Sequence, residues 1–162
     1  MSKFENGNFI DDLEKMRDFK TLSKEEFLNS YSYLTEAEYE NTVDLYREKQ
    51  GLLELLYRKN ADEYITFKEQ LRDYDVDTLI SADLAYEIVT KKDFMLIIEW
   101  CGEDFLTIEQ IKKLLNVENL LEILYDDWLK YDDDGVIDGV YKEFIFGFWD
   151  WEALKWTNVV IA

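Results

Sequence analysis

The hydrophobic positions between residues 8 and 131 recur at helical spacing. Between Thr35 and Tyr57 the apolar side chains return every three or four residues, and the same spacing recurs over 64–71 and 120–129. One apolar stripe at this period is typical of an amphipathic helix that packs on a core. The pattern therefore predicts a succession of short helices.

Three helix starts are marked by capping boxes, at Ser23–Glu26, Thr35–Glu38 and Thr107–Gln110. In each box, the hydroxyl of the first residue can accept a hydrogen bond from the backbone amide three residues later. The side chain of that later residue can in turn accept from the backbone amide of the first residue. Apolar residues stand at the two flanking staple positions of every box. Weaker N-cap candidates are Asn8, Asn60 and Asn116.

Two local features leave the helix boundaries open. Gly51 is expected to kink or end the helix that starts after Thr35. The apolar run 94–100 is compatible with a buried helix or a buried strand. The helical spacing of the preceding residues 82–90 favours a helix.

The pattern changes after residue 131. Two turn signals, Asp132–Gly135 and Asp138–Gly139, precede an aromatic and β-branched run over 140–149, and 157–161 is β-rich as well. A short turn or helix over 150–155 would let these two runs pair antiparallel. We therefore expect a mainly α (α+β) fold, a bundle of short capped helices with a small antiparallel β hairpin at the C-terminus. The whole chain, 1–162, is expected to form one domain, helical over 8–131 and β-containing over 132–162.

The composition is that of a folded chain, with 48% hydrophobic and 16% aromatic residues in 162. This apolar content supplies a core at such a length. Membrane spans need about 18 uninterrupted apolar residues, which no segment reaches. The N-terminal residues have no apolar signal region and the chain has one Cys, which favours a cytoplasmic protein.

The formal net charge is −19, with 37 acidic residues, 18 basic residues and no His. Direct binding to nucleic acid or to anionic membranes is disfavoured, because both need Lys and Arg against phosphate. A chain without His lacks the commonest general base and metal ligand. A single Cys excludes an internal disulfide and a thiolate zinc site. No metal and no cofactor are predicted.

The negative charge rises along the chain, from −4 over residues 1–59 to −7 over 60–116 and −8 over 117–162. Carboxylates one helical turn apart repel, so local stability does not explain the cluster that begins at residue 118. We take this cluster as an acidic face for partner binding, formed by Glu118, Glu122, Asp126, Asp127, Asp132, Asp133, Asp134 and Asp138.

The sequence gives little support to a catalytic or a calcium-binding role for these carboxylates. An EF-hand loop needs acidic ligands at positions 1, 3 and 5 and Gly at 6. With Gly139 at position 6, Val136 stands at position 3, and with Gly135 there, Lys130 stands at position 1. Magnesium-dependent phosphoryl chemistry would need a Gly-rich phosphate loop, which the chain does not contain. We expect a protein that is not an enzyme.

The net negative charge suggests a protein that mimics nucleic acid. B-DNA carries one charge per about 1.7 Å of axis, so 19 charges match roughly 32 Å of duplex, close to the roughly 40 Å diameter of a compact chain of this length. The sequence therefore predicts a non-enzymatic inhibitor of a DNA- or RNA-binding enzyme, of the anti-restriction or anti-CRISPR type that phages and mobile elements encode. Its partner would be a basic protein surface, with Trp149 and Trp151 as candidate aromatic anchors. Two alternatives stay open: an immunity protein that neutralises a basic toxin or nuclease, and an acidic helical adaptor or scaffold that binds through apolar helix faces.

Overall fold

The computed structural model describes residues 7–131, 144, 146, 149–150 and 155–156 of the chain. These residues are mainly helical, in seven helices. The helices are α1 (Leu13–Thr21), α2 (Lys24–Ser30), α3 (Glu36–Gln70), α4 (Val76–Ser81), α5 (Leu84–Phe105), α6 (Ile108–Leu115) and α7 (Leu120–Tyr131). Two short strands follow, β1 (Trp149–Asp150) and β2 (Lys155–Trp156), paired antiparallel with Trp149 opposite Trp156.

The three predicted helix starts are confirmed. Ser23 caps α2 by accepting from the Glu26 amide. Thr35 does the same for Glu38, whose carboxylate reaches back to the Thr35 amide. Thr107 and Gln110 form both bonds of a capping box before α6.

The three weaker cap predictions are wrong. Asp12 caps α1, whereas Asn8 accepts only from the Ile10 amide in the preceding turn. Asn116 is the C-cap of α6 and donates to the Lys112 carbonyl. Asn60 lies inside α3, where its side chain is buried and its Nδ2 has no hydrogen-bond partner among the described residues.

The helix α3 runs through Gly51 without ending there, which corrects the expected break. A helical glycine costs about 1 kcal/mol relative to alanine, and Gly51 is exposed with no atom close to its missing side chain. The buried side chains of Leu53 and Leu56 just beyond it offset that cost. The ambiguous run 94–100 is helical, within α5, as favoured from the sequence.

The chain forms two compact units, residues 1–52 and 53–162, because contacts are denser within each unit than across the boundary, which lies inside α3. The prediction of a single domain stays a prediction.

In the first unit, Phe9, Met16, Phe27 and Leu34 form the core, and the rings of Phe9 and Phe27 stack at 5.1 Å. The Phe9 amide donates to Thr42 Oγ1 and so fastens the N-terminal segment to α3.

The second unit has its core between α5 and α7. Trp128 is fully buried and meets the rings of Phe94 and Phe144 edge to face. Its Nε1 donates to the Tyr86 hydroxyl at 2.7 Å, which satisfies the one polar atom of the indole. This core fixes α7, the helix that carries part of the predicted acidic face.

The predicted hairpin falls mostly outside the described residues. At Phe144 and Phe146 the backbone is π-helical rather than extended, which differs from the strand expected over 140–149. Phe144 is fully buried. The other residues of the 140–149 and 157–161 runs lie outside the described part, apart from the β1 pair.

Candidate functional site

A buried lysine links two helices of the second unit. Lys91 on α5 has only 2% of its side chain exposed, and its Nζ forms ion pairs with Glu87, at 2.7 Å, and with Glu122 of α7. The same Nζ lies 3.8 Å from the centroid of the Phe67 ring of α3, in a cation–π contact. Burial acts to lower the pKa of Lys91, but the hydrogen bonds to Glu122 and Glu87 outweigh it and raise this pKa. The ammonium therefore stays charged.

A carboxylate from α3 caps the start of α7. The two oxygens of Glu63 accept from the Leu121 and Glu122 amides, each at 2.9 Å. Asn119, just before α7, has a left-handed backbone with φ +58°, whereas an N-cap residue usually has an extended one. Glu63 thus supplies the acceptors that the first turn of α7 needs, and its negative charge suits a helix N-terminus.

These groups line an acidic pocket of about 600 Å³. Four carboxylates and one ammonium lie on its wall: Asp62, Glu63, Glu87, Glu122 and Lys91. The wall therefore carries a formal charge of −3 when all five are ionised. A smaller cavity of about 210 Å³ shares Glu63 and Asn119 with this pocket and is lined by Glu118 as well.

The structure places the predicted acidic residues unequally. Glu118, Glu122 and Asp126 are exposed, and the first two line the cavities at the start of α7. Asp127 is buried and lies 3.6 Å from Lys130 Nζ, so it offers no free carboxylate to a partner. Asp132, Asp133, Asp134, Asp138 and Trp151 lie outside the described residues, and only the backbone of Trp149 is described.

We call four exposed carboxylates the acidic rim: Asp62 and Glu122 line the pocket, Glu118 lines the smaller cavity, and Asp126 lies one helical turn beyond Glu122. Asp62 comes from α3 and was not predicted, since only the fold brings it beside residues of α7. Glu63, Glu87 and Lys91 were missed for the same reason. No local pattern in the sequence distinguishes these charged residues from the other charged residues.

Two carboxyl groups of the site have raised pKa values. Burial raises the pKa of Glu63, although its two backbone hydrogen bonds act in the opposite direction. Slight desolvation also raises the pKa of Asp126, although this side chain is largely exposed, and the nearby Glu122 carboxylate adds to the effect. Both groups therefore hold a proton more readily in the folded chain than in the unfolded one.

We expect Glu63 and Asp126 to make the free energy of unfolding fall as the pH rises above about 4.5, because a carboxyl group with a raised folded-state pKa stabilises the fold only while it is protonated. The double variant Glu63→Gln/Asp126→Asn should show a shallower fall. The measurement is urea unfolding at several pH values. The pair Asp11→Asn/Glu25→Gln changes the net charge equally on exposed residues of the first unit. An equal flattening by this control pair would assign the slope to net charge alone.

Within the described residues, no group of three or more His, Cys, Asp or Glu side chains is arranged to hold a metal ion. None of the described helices has the length and apolar character needed to cross a membrane. No family model matches the sequence, no characterised protein is significantly similar to it, and no solved structure matches the fold.

Proposed function

We propose that this protein is a non-enzymatic acidic inhibitor, which mimics nucleic acid and blocks a DNA- or RNA-binding enzyme. The observation that carries the proposal is the acidic rim, whose exposed carboxylates lie on or beside a pocket with a net negative wall. Such a surface complements a basic cleft that normally holds phosphates. The second unit has 25 acidic and 11 basic residues, so it carries most of the net charge of −19.

Preorganisation supports this proposal. A mimic binds tightly when its charges are already fixed, because little entropy is then lost on binding. Glu122 is held by Lys91, and the helix that carries Asp126 is capped by Glu63 and packed through Trp128. Electrostatic steering by a rigid field of one sign would also speed the encounter with a basic partner.

The proposal extends to features that the described residues leave open. We propose that residues 132–162 complete the fold with a small β hairpin, and that Asp132, Asp133, Asp134 and Asp138 extend the acidic rim. An inhibitor of a nucleic-acid enzyme would act beside that enzyme, in the cytoplasm of a cell that a phage or mobile element has entered.

Two other functions share part of this rationale. An immunity protein for a basic toxin nuclease would use the same acidic rim, so only the identity of the target separates it from a mimic. An acidic adaptor would bind through apolar helix faces instead, and the exposed Trp100 on α5 favours it. Adaptor binding would change little with salt, because apolar contacts are not screened.

The test is inhibition of a panel of purified restriction endonucleases, CRISPR effectors and toxin nucleases. We expect one member to be inhibited, with its affinity falling steeply between about 50 and 200 mM salt, as charge-dominated binding does. Duplex DNA should compete with the protein for that enzyme. Binding that tolerates saturating duplex, or that does not respond to salt, would contradict mimicry. Inhibition of a toxin nuclease alone would favour the immunity function.

A further inference from the structure

An apolar stripe of α5 faces solvent. Val89, Leu96 and Trp100 share one side of the helix by their spacing, with Asp93 between them. Trp100 is 70% exposed and Val89 is 56% exposed, whereas Leu96 and Asp93 between them are partly buried. The stripe from Val89 to Trp100 extends about 17 Å along the helix at 1.5 Å per residue. The helix α5 has apolar residues of its own on every side, and a helix with that distribution is normally buried on all sides.

Carboxylates flank this stripe at the end that holds Trp100. Glu99 and Asp104 are exposed, and helical spacing places them on opposite sides of Trp100, with Glu103 about one turn beyond it. Lys92 is the exposed cation near the other end. An apolar anchor with negative charge on both sides is complementary to an apolar side chain with positive charge on both sides. Exposed tryptophan is also the residue type that most often dominates binding energy in interfaces.

We propose that this α5 stripe docks a basic amphipathic helix of the partner, with Trp100 as the anchor. The partner helix would lay its apolar face along Val89, Leu96 and Trp100, and its Arg or Lys side chains would meet Glu99 and Asp104. A second copy of this chain is disfavoured as the occupant, because two copies would bring like charges together. The proposal rests on the basic partner of the proposed function, but it names a surface separate from the acidic rim.

The test uses peptides of about 18 residues, long enough to form a helix. One peptide has Leu on one face and Arg on the other, and a matched peptide has Ser in place of Leu, so that both carry equal charge. We expect the Leu/Arg peptide to bind at least about tenfold more tightly to the wild-type protein. Trp100→Ala should abolish that difference and leave Ser/Arg binding unchanged. Isothermal titration calorimetry measures both affinities.

A matched control is Tyr33→Ala, which removes another exposed aromatic ring, 64% exposed, from the first unit. It should leave both peptide affinities unchanged. Equal loss in the two variants, or a Leu/Arg preference that survives Trp100→Ala, would overturn the proposal. Circular dichroism should show both variants folded, since each truncated side chain is mostly in solvent.

The outcomes separate this docking surface from the proposed function. Peptide binding through Trp100 without inhibition of any nucleic-acid enzyme would support the α5 surface and contradict the mimic. Inhibition that is unchanged by Trp100→Ala, together with no Leu/Arg preference, would support the mimic and overturn the α5 surface.

Discussion

Replacing Lys91 by methionine is expected to lower the free energy of unfolding by about 2–4 kcal/mol, because removing one partner of a buried ion pair leaves the other charges without compensation. Methionine keeps most of the apolar volume of the lysine side chain, so the loss of stability is caused by the missing charge rather than by a cavity. The measurement is the midpoint of urea unfolding at neutral pH.

The size of this effect follows from what surrounds the ammonium. Glu87 is mostly buried, whereas Glu122 is about half-exposed. Without Lys91 the Glu87 carboxylate would stay desolvated beside another carboxylate, while Glu122 could recover water. The expected loss is therefore somewhat below the 3–5 kcal/mol typical of a fully buried pair.

The matched control is Lys24→Met in the first unit. Lys24 also pairs with two glutamates, Glu36 at 2.7 Å and Glu40, but all three side chains are exposed to a large degree. Exposed ion pairs contribute little, so the control should leave the unfolding midpoint nearly unchanged. If both variants lost equal stability, burial of Lys91 would not be the cause.

Local signals in the sequence predicted helix starts well. The boxes at Ser23, Thr35 and Thr107 involve residues three positions apart, so the sequence contains all the atoms that decide the outcome. The failed caps, Asn8, Asn60 and Asn116, had only a suitable residue type. Asn60 shows why residue type alone is insufficient, since the packing of neighbouring leucines keeps α3 helical on both sides of Asn60.

The candidate site could be predicted only in part, for a physical reason. Glu122 and Asp126 are one turn apart on α7, so helical spacing placed them on one exposed side. Asp127 is one residue further, which rotates it by about 100° towards the side where Trp128 is buried. Glu63 meets Leu121 across 58 positions, and no helical period relates residues so far apart.

These long-range contacts give the acidic rim its fixed form. A cluster of like charges on a helix destabilises that helix, and α7 carries several acids in its first two turns. Lys91 and Glu63 offset this in different ways, the first by pairing with Glu122 and the second by capping the helix start. Of the rim residues, Glu122 takes part in this support, whereas Asp62, Glu118 and Asp126 can be altered without removing either contact.

Reversing three charges of the acidic rim should weaken binding to the inhibited enzyme by about 100-fold or more, because like charges brought together in an interface cost several kcal/mol. The variant is Asp62→Lys/Glu118→Lys/Asp126→Lys. Glu122 is left in place because it pairs with Lys91. The measurements are the Kd of the complex by calorimetry and its dependence on salt, which should become less steep as attractive contacts are lost.

A second triple variant separates position from net charge. Asp11→Lys/Glu25→Lys/Asp44→Lys changes the same number of acidic residues to lysine, all of them exposed and all in the first unit. It lowers the overall negative charge equally, so it should slow association only modestly and keep most of the affinity. If the two triples weakened binding to the same extent, the partner would be responding to net charge, and the acidic rim would not be the binding site. Since all six positions are exposed, each substitution should change stability by less than about 0.5 kcal/mol, and lost binding can then be assigned to the surface rather than to unfolding.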